Sequence, residues 1–218
     1  MNISNFRSVW LGQCICRYQV PEDVFYTINK IYEENFLKLP SASKQLIGKI
    51  KKEHSLYHQG DETEKMHKHN LLSRDVLVWL SKVFKCYLDF LAIKEYKLFI
   101  NSVWVNEMKA NEYNPVHLHQ GTIFTGLSSV MVLKMPKDMG PEPARNDRPM
   151  NGRLHILGND SGYFCKSDYL PVLQERDFYI FPYDVRHCVY PFTSDATRRT
   201  LSANVDVTYS PIATRGVT

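Results

Sequence analysis

The chain lacks any apolar stretch long enough to cross a membrane, which takes about eighteen residues or more. Its first residues carry no apolar run of signal-peptide length. A disulfide framework is also lacking: the five cysteines have no regular spacing, and their odd number favours free thiols in a reducing compartment. These absences predict a cytoplasmic protein that does not interact with a membrane.

Concentrated charge is also missing. The 27 basic and 23 acidic residues give a net charge of only +4, spread along the chain. A nucleic-acid-binding protein more often gathers its Lys and Arg on one element. Only the run Lys49–Lys52 stands out, and a solvated helix face explains it more simply. Nucleic-acid binding is therefore not indicated, and nothing in the sequence indicates an oligomeric state.

The first 97 residues have mainly helical patterns after one early strand, predicted over residues 8–18. A helix is predicted to begin at Pro21, because proline suits the first helical turn. Polar residues 58–70 predict a loop. Residues 71–96 give the strongest helix pattern, with an apolar stripe near the helical period: Leu72, Val76, Leu80, Val83, Leu88 and Leu91.

The second part of the chain, from residue 98 onward, has short apolar segments separated by Gly and Pro turns. Strands are predicted over residues 97–106, 116–119, 127–133, 153–157, 177–181 and 199–209. Many short strands of this kind indicate a sandwich or jelly roll. A loop rich in Pro, Gly and charge is predicted over residues 136–152.

A histidine pair at positions i and i+2 marks the start of this second part. His117 and His119 would point to the same side of a strand, and His187 follows a later apolar strand. Three such imidazoles could hold a metal ion and leave its other coordination positions open. The pair His67 and His69 has the same spacing, but it lies in a polar, loop-like segment and predicts no site.

An alternating pattern marks the last predicted strand. Arg198, Thr200, Ser202 and Asn204 would share one face, whereas Arg199 would point the other way. A cation, two hydroxyls and an amide are costly inside a barrel unless an anion binds there. Because a guanidinium matches a carboxylate bidentately, Arg198 is a candidate clamp for a carboxylate co-substrate.

The ordered set of these motifs resembles the iron(II)- and 2-oxoglutarate-dependent oxygenases, and more narrowly a bacterial and phage branch of them. No single motif is specific, but their order across residues 98–206 is. The matching pieces are Asn101-x-x-Trp104-x-Asn106, Tyr113-Asn114-x-x-His117-x-His119, Leu127-Ser128-Ser129, Pro136, Gly152-x-Leu154, Phe181-Pro182, His187-x-Val189-x-Pro191 and Arg198-x-Thr200-x-Ser202-x-Asn204.

The resemblance implies an α+β fold: a double-stranded β-helix of the jelly-roll or cupin-like kind with an N-terminal helical annex. Residues 1–97 would pack as a strand and helices on a metal-binding core of residues 98–218, within one structural domain. The implied cofactors are Fe(II) and 2-oxoglutarate, with O2 and an unidentified substrate as further partners. The implied reaction is hydroxylation with release of succinate and CO2.

The resemblance also assigns roles to residues of this chain. His117 and His187 take the positions of the two histidine ligands, and His119 stands where the family has a carboxylate. All three would be catalytic residues as ligands of the metal. Arg198 takes the position that binds the distal carboxylate of 2-oxoglutarate, with Thr200 or Ser202 beside it. Asn106 and Tyr113 are further candidates for contacts with the co-substrate.

Two other functions fit the residues. A three-histidine, cupin-like dioxygenase would bind metal without using 2-oxoglutarate, and a jelly-roll binding or structural module would hold no catalytic metal. A prolyl peptide, a free amino acid and a nucleobase are all open as substrates. The 136–152 loop is predicted to be either a lid or an ordinary surface insertion. As a lid, it would favour an anionic or polar substrate through Arg145, Arg148 and Arg153.

Overall fold

The computed structural model describes residues 12–42, 48–60, 67–142, 149–158, 162–163 and 165–209. Two helices and eleven strands lie in these residues. The helices are α1 (Glu22–Asn35) and α2 (Arg74–Phe90). The strands are β1 (Cys16–Gln19), β2 (Lys52–His58), β3 (His69–Asn70), β4 (Tyr96–Met108), β5 (Asn114–His117), β6 (Gly126–Lys134), β7 (Leu154–Leu157), β8 (Asp168–Tyr169), β9 (Asp177–Pro182), β10 (Arg186–Val189) and β11 (Arg198–Tyr209).

Two antiparallel sheets make up the fold. The larger has seven strands in the order β1-β9-β6-β11-β4-β2-β3, and the smaller has four in the order β5-β10-β7-β8. β11 lies at the centre of the larger sheet, paired with β4 on one side and β6 on the other. This arrangement confirms the predicted jelly roll with a helical annex.

Two hydrophobic cores divide the faces of the larger sheet. One core joins α1 and α2 to the sheet through residues such as Ile28, Phe84 and Leu201. The other lies between the two sheets and includes Met108 and Ile156. Alternate residues of β4 and β11 therefore face either the helices or the interior between the sheets.

The first helix begins as predicted, whereas α2 begins three residues later and ends earlier than predicted. Pro21 immediately precedes α1, and the Ser73 hydroxyl accepts a hydrogen bond from the Val76 amide at the start of α2. The predicted continuation of α2 to residue 96 is wrong, because Ala92 adopts a left-handed φ of 58°. β4 then begins at Tyr96.

The N-terminal part contains more strand than the sequence predicts. β2 pairs with β4 in the larger sheet, and β3 occupies the end of the predicted polar loop. The run Lys49–Lys52 is not on a helix face, because Lys52 is the first residue of β2. Strands β1, β2 and β3 belong to the same sheet as β4, so the two parts of the chain share one sheet. The division of the chain at residue 97 stays a prediction.

The predicted strands of the second part are all present, with bounds shifted by a few residues. Of the first predicted strand, residues 8–11 lie outside the described part of the chain, and β1 begins at Cys16. All five cysteines are free thiols. Neither helix in the described residues is long and apolar enough to span a lipid bilayer.

Candidate metal and co-substrate site

Three histidines converge between the two sheets. His117 and His187 are direct cross-strand partners in the pairing of β5 with β10. Their ring centroids lie 4.3 Å apart, and the His119 ring lies 4.9 Å from that of His187. One ligand nitrogen from each ring lies within 4.8 Å of the other two. The three imidazoles therefore form a single cluster that could hold one metal ion.

His119 reaches this cluster by a route that differs from the predicted one. β5 ends at His117, so His119 lies two residues beyond the strand. Its backbone N–H donates to the carbonyl of Tyr183 at 2.9 Å. The turn after β5, rather than strand alternation, places the third imidazole.

Backbone carbonyls orient two of the rings. His117 Nδ1 lies 2.7 Å from the Pro115 carbonyl oxygen, and His187 Nδ1 lies 3.1 Å from that of Val185. A carbonyl oxygen can only accept a hydrogen bond, so Nδ1 of each ring must be the donor and carry the hydrogen. Nε2 is thereby left as the lone-pair nitrogen in both rings, which is the form that binds a metal.

Burial keeps the cluster uncharged. Desolvation lowers the pKa of His187 to about 3, with a smaller contribution from His117. Burial also lowers the pKa of His117, and burial together with the two neighbouring imidazoles holds the pKa of His119 well below its usual value. At neutral pH all three rings are therefore in the state that metal binding requires.

A buried arginine lies beside the cluster. Arg198 is 1% exposed, and its Nε and Nη2 atoms have no hydrogen-bond partner. Nη1 donates to the Met108 sulfur at 3.7 Å. Burial lowers the pKa of Arg198 to about 10, which leaves the guanidinium charged at neutral pH. Within the described residues no carboxylate pairs with this cation.

Of the four other residues predicted to contact the co-substrate, three lie beside Arg198 and one does not. Thr200, Ser202 and Asn106 line a narrow chamber that also contains the Arg198 guanidinium and all three histidines. The Asn106 Oδ1 atom is buried without a hydrogen-bond partner. Tyr113 is 41% exposed and lines neither this chamber nor the larger cavity next to it.

That larger cavity, of about 550 Å³, adjoins the narrow chamber and shares His117 and His119 with it. Ser55 and His58 of β2 form part of its wall, and sequence reasoning missed both. Ser55 Oγ lies 2.9 Å from Nε2 of His69 on β3. The alternating polar residues of β2 could have indicated these two side chains. Such alternation is equally typical of a strand whose polar face is exposed to solvent, so it does not identify a binding site.

The predicted lid is only partly described. Arg145 and Arg148 lie outside the described residues. The base of the loop is held closed, because Glu142 Oε2 accepts hydrogen bonds from the amides of Met150 and Asn151. Arg153 donates to the Leu170 carbonyl. No described residue of 136–152 lines either cavity, and the role as a lid stays a prediction.

The residues present fit iron(II) and 2-oxoglutarate. His119 Nε2 and His187 Nε2 lie 3.1 Å apart, close to the roughly 3 Å expected for two nitrogens each about 2.1 Å from one ion in adjacent positions. Neutral imidazole is a ligand that iron accepts. The unpaired guanidinium of Arg198 matches an anionic ligand in the same chamber. No Asp or Glu belongs to the cluster formed by the described residues.

Comparisons with known proteins agree with this chemistry. A family model described as "Putative 2OG-Fe(II) oxygenase" matches residues 102–204, which carry all three histidines and Arg198. No curated protein gives a significant match to the chain.

Several solved structures share the fold. A prolyl-4-hydroxylase from Pseudomonas putida superposes with a TM-score of 0.54 at 13% identity, covering 89% of this chain and 92% of that one. An oxidoreductase of the 2OG-Fe(II) oxygenase family from Burkholderia pseudomallei also gives 0.54, at 15% identity over 87% and 84% of the two chains. A prolyl hydroxylase from Trichoplax adhaerens, in complex with a hypoxia inducible factor peptide, gives 0.54 at 11% identity over 95% and 87%. Over residues 102–204 the chain is therefore similar to the iron(II)- and 2-oxoglutarate-dependent oxygenases, and it shares the fold of solved structures from that group.

Proposed function

We propose that the chain hydroxylates an as yet unidentified substrate and converts 2-oxoglutarate to succinate and CO2. The observation that carries the proposal is the shared chamber of the three neutral imidazoles and the unpaired guanidinium of Arg198. 2-Oxoglutarate has a keto acid end that can chelate iron and a second carboxylate at its other end. A chamber that contains both a metal-binding cluster and an anion-binding guanidinium could bind both ends.

His117, His119 and His187 would hold the iron through ring nitrogens. The carbonyls of Pro115 and Val185 fix the rings of His117 and His187, so little rearrangement is needed when metal binds. Iron(II), when bound, supplies the oxidative chemistry that decarboxylates 2-oxoglutarate and hydroxylates the substrate. The surrounding side chains contribute ligand geometry, orientation of both substrates and exclusion of water.

Arg198 would bind the distal carboxylate of 2-oxoglutarate. A buried cation without a counter-ion is costly, and a carboxylate from the co-substrate would offset that cost. The Thr200 and Ser202 hydroxyls lie in the same chamber, next to the amide of Asn106. The chamber is narrow, about 20 Å³, so Met108 would have to move from its contact with Arg198; an unbranched thioether side chain does this readily.

The larger cavity would hold the substrate, because it shares His117 and His119 with the co-substrate chamber. Its wall contains amides and hydroxyls and no Asp or Glu among its described lining residues. Arg186, at the rim, is the one Lys or Arg in that lining. A cationic substrate would find no counter-charge there, so the wall favours an uncharged polar or an anionic substrate.

The three-histidine arrangement also suits a dioxygenase that does not use 2-oxoglutarate. Such an enzyme would leave the Arg198 guanidinium buried without a partner, and so would a jelly-roll module with no catalytic metal. Arg198 therefore favours the 2-oxoglutarate-dependent reaction over both alternatives.

Succinate release tests the proposal directly. Protein loaded with Fe(II) under anaerobic conditions would be mixed with 2-oxoglutarate and air-saturated buffer, alone and with panels of anionic, uncharged polar and cationic compounds. We expect succinate formation that requires both Fe(II) and 2-oxoglutarate and rises with a compound of the first two panels. The His187→Ala variant should form none. Oxygen consumption that is independent of 2-oxoglutarate would contradict the proposal.

A further inference from the structure

We propose that Asp206 is a positioning residue that fixes His119 for metal binding; this inference rests on the proposed role of His119 as a ligand. Asp206 lies on β11, outside the matched family segment, and the sequence pattern did not single it out. Its carboxylate is buried, with 6% of the residue exposed.

Three uncharged donors surround this carboxylate. Oδ2 accepts from the Thr122 backbone N–H at 3.0 Å and from Asn101 Nδ2 at 3.4 Å. Oδ1 accepts from the Tyr183 hydroxyl at 3.0 Å. Within the described residues no Lys, Arg or His forms an ion pair with Asp206. The carboxylate is therefore held by the turn after His119, by Asn101 of β4 and by Tyr183, not by a counter-ion.

Gly121 shows how closely the carboxylate is seated against that turn. A Cβ atom at position 121 would lie 1.8 Å from Asp206 Oδ1. The absence of a side chain there lets Asp206 approach the backbone and bind the next amide, that of Thr122. The Thr122 hydroxyl is held in turn by Asn101 Nδ2 at 2.9 Å.

Tyr183 connects the carboxylate to the other end of the turn. Its carbonyl accepts the backbone N–H of His119 at 2.9 Å, and its hydroxyl donates to Asp206. Because β5 ends at His117, no strand ladder fixes His119. Asp206 and Tyr183 together hold residues 119–122 from both ends, so loss of the carboxylate would release the third imidazole from its place.

Asp177 offers a matched control. It is 1% exposed, and its carboxylate also binds a backbone amide, that of Gln174, and a tyrosine hydroxyl, that of Tyr179. It additionally pairs with Arg17, and it lines neither cavity of the site. Its removal should cost stability without a specific effect on the histidine cluster.

The test uses Co(II), a divalent probe whose visible absorption depends on its ligands, titrated into the metal-free full chain. Unfolding of each metal-free variant in urea is measured in parallel. We expect Asp206→Ala to bind Co(II) at least about tenfold more weakly than the wild type, with an altered spectrum. We expect Asp177→Ala to lose stability but to keep the wild-type Co(II) affinity and spectrum.

Wild-type affinity and spectrum in Asp206→Ala would overturn the inference, as would an equal loss of affinity in Asp177→Ala. Tyr183→Phe, which removes only the hydroxyl bond to Asp206, serves if Asp206→Ala does not fold; it should weaken Co(II) binding about threefold, and an unchanged affinity would overturn the inference. A failure of the proposed ligand role of His119 looks different, because then His119→Ala itself would bind Co(II) like the wild type. A failure of the proposed reaction would appear as normal metal binding without succinate release.

Discussion

Arg198 and Arg199 are neighbours in the chain, yet their guanidinium groups lie on opposite faces of β11. Arg198 points into the chamber of the three histidines and has two nitrogens without a partner. Arg199 binds Glu107 at 3.0 and 3.2 Å, binds Glu33 at 3.1 Å and lies 4.6 Å from the ring centroid of Tyr32. The guanidinium of Arg199 therefore has its partners within the protein, whereas that of Arg198 has nitrogens free to bind a ligand.

This difference predicts opposite effects on the metal-free protein. Arg198→Met removes a buried, unpaired charge, so the free energy of unfolding should rise by about 2 kcal/mol. Arg199→Met breaks the buried pair with Glu107 and should lower the free energy of unfolding by about 3 kcal/mol. Urea unfolding of both variants measures the two changes. A loss of stability in Arg198→Met would mean that its guanidinium has partners in the free protein.

Metal binding should depend on His187. In the His187→Ala variant we expect no stoichiometric Fe(II) binding under anaerobic conditions while the circular dichroism spectrum is kept, because two imidazoles alone hold iron weakly. His117→Ala should behave in the same way.

His67→Ala and His69→Ala are the controls for this loss. Neither residue belongs to the cluster, and His69 instead contacts Ser55. Both variants should bind one Fe(II) like the wild type. Unchanged iron affinity in His187→Ala would remove His187 from the site.

His119 should tolerate a carboxylate. His119→Asp would supply the ligand type that the superfamily pattern has at this position, so iron binding and succinate production should be kept or raised. His119→Ala should weaken iron binding by about tenfold or more. If the alanine variant keeps full iron affinity and loses only activity, His119 orients a neighbouring group and is not a ligand.

Glu53 on β2 should make stability depend on pH. It is 2% exposed, and burial, followed by repulsion from Glu112, raises its pKa to about 7. Unfolding returns this carboxyl to its ordinary pKa of 4.5, so the folded state is favoured below pH 4.5 and loses that advantage as the pH rises to 7. Glu53→Gln stays uncharged, so its free energy of unfolding relative to the wild type should be about 3 kcal/mol higher at pH 8 than at pH 4.5.

Urea unfolding at both pH values checks this effect. Glu34→Gln is a suitable control, because its side chain is 61% exposed in an i,i+4 pair with Lys30. The free energy of unfolding of this control, relative to the wild type, should not change between the two pH values. If Glu53→Gln is stabilised equally at both pH values, the ionisation of Glu53 is not the cause of the stabilisation.

Much of the fold could be predicted because alternation and helical periodicity report burial. The two faces of β11 were readable from Arg198 and Leu201, one polar and one apolar, since the strand separates the site from the helix-packed core. The apolar stripe likewise predicted α2.

Tertiary contacts account for the parts that were missed. β2 turns Glu53, Ser55 and His58 toward the interior, so its buried face is polar and resembles a solvated segment. The place of His119 depends on Tyr183 and Asp206, which are distant in sequence. Whether an arginine has a partner also depends on distant residues, so the sequence could propose Arg198 as a clamp but could not show that it is unpaired.

Anaerobic calorimetric titration of the Fe(II)-loaded protein with 2-oxoglutarate measures whether Arg198 binds the co-substrate. We expect the wild type and Arg199→Ala each to bind one equivalent. We expect Arg198→Ala to bind at least about thirtyfold more weakly, because a buried, charge-paired contact contributes about 2 kcal/mol or more. Failure of the wild type to bind 2-oxoglutarate, or equal affinity in Arg198→Ala, would contradict this role of Arg198.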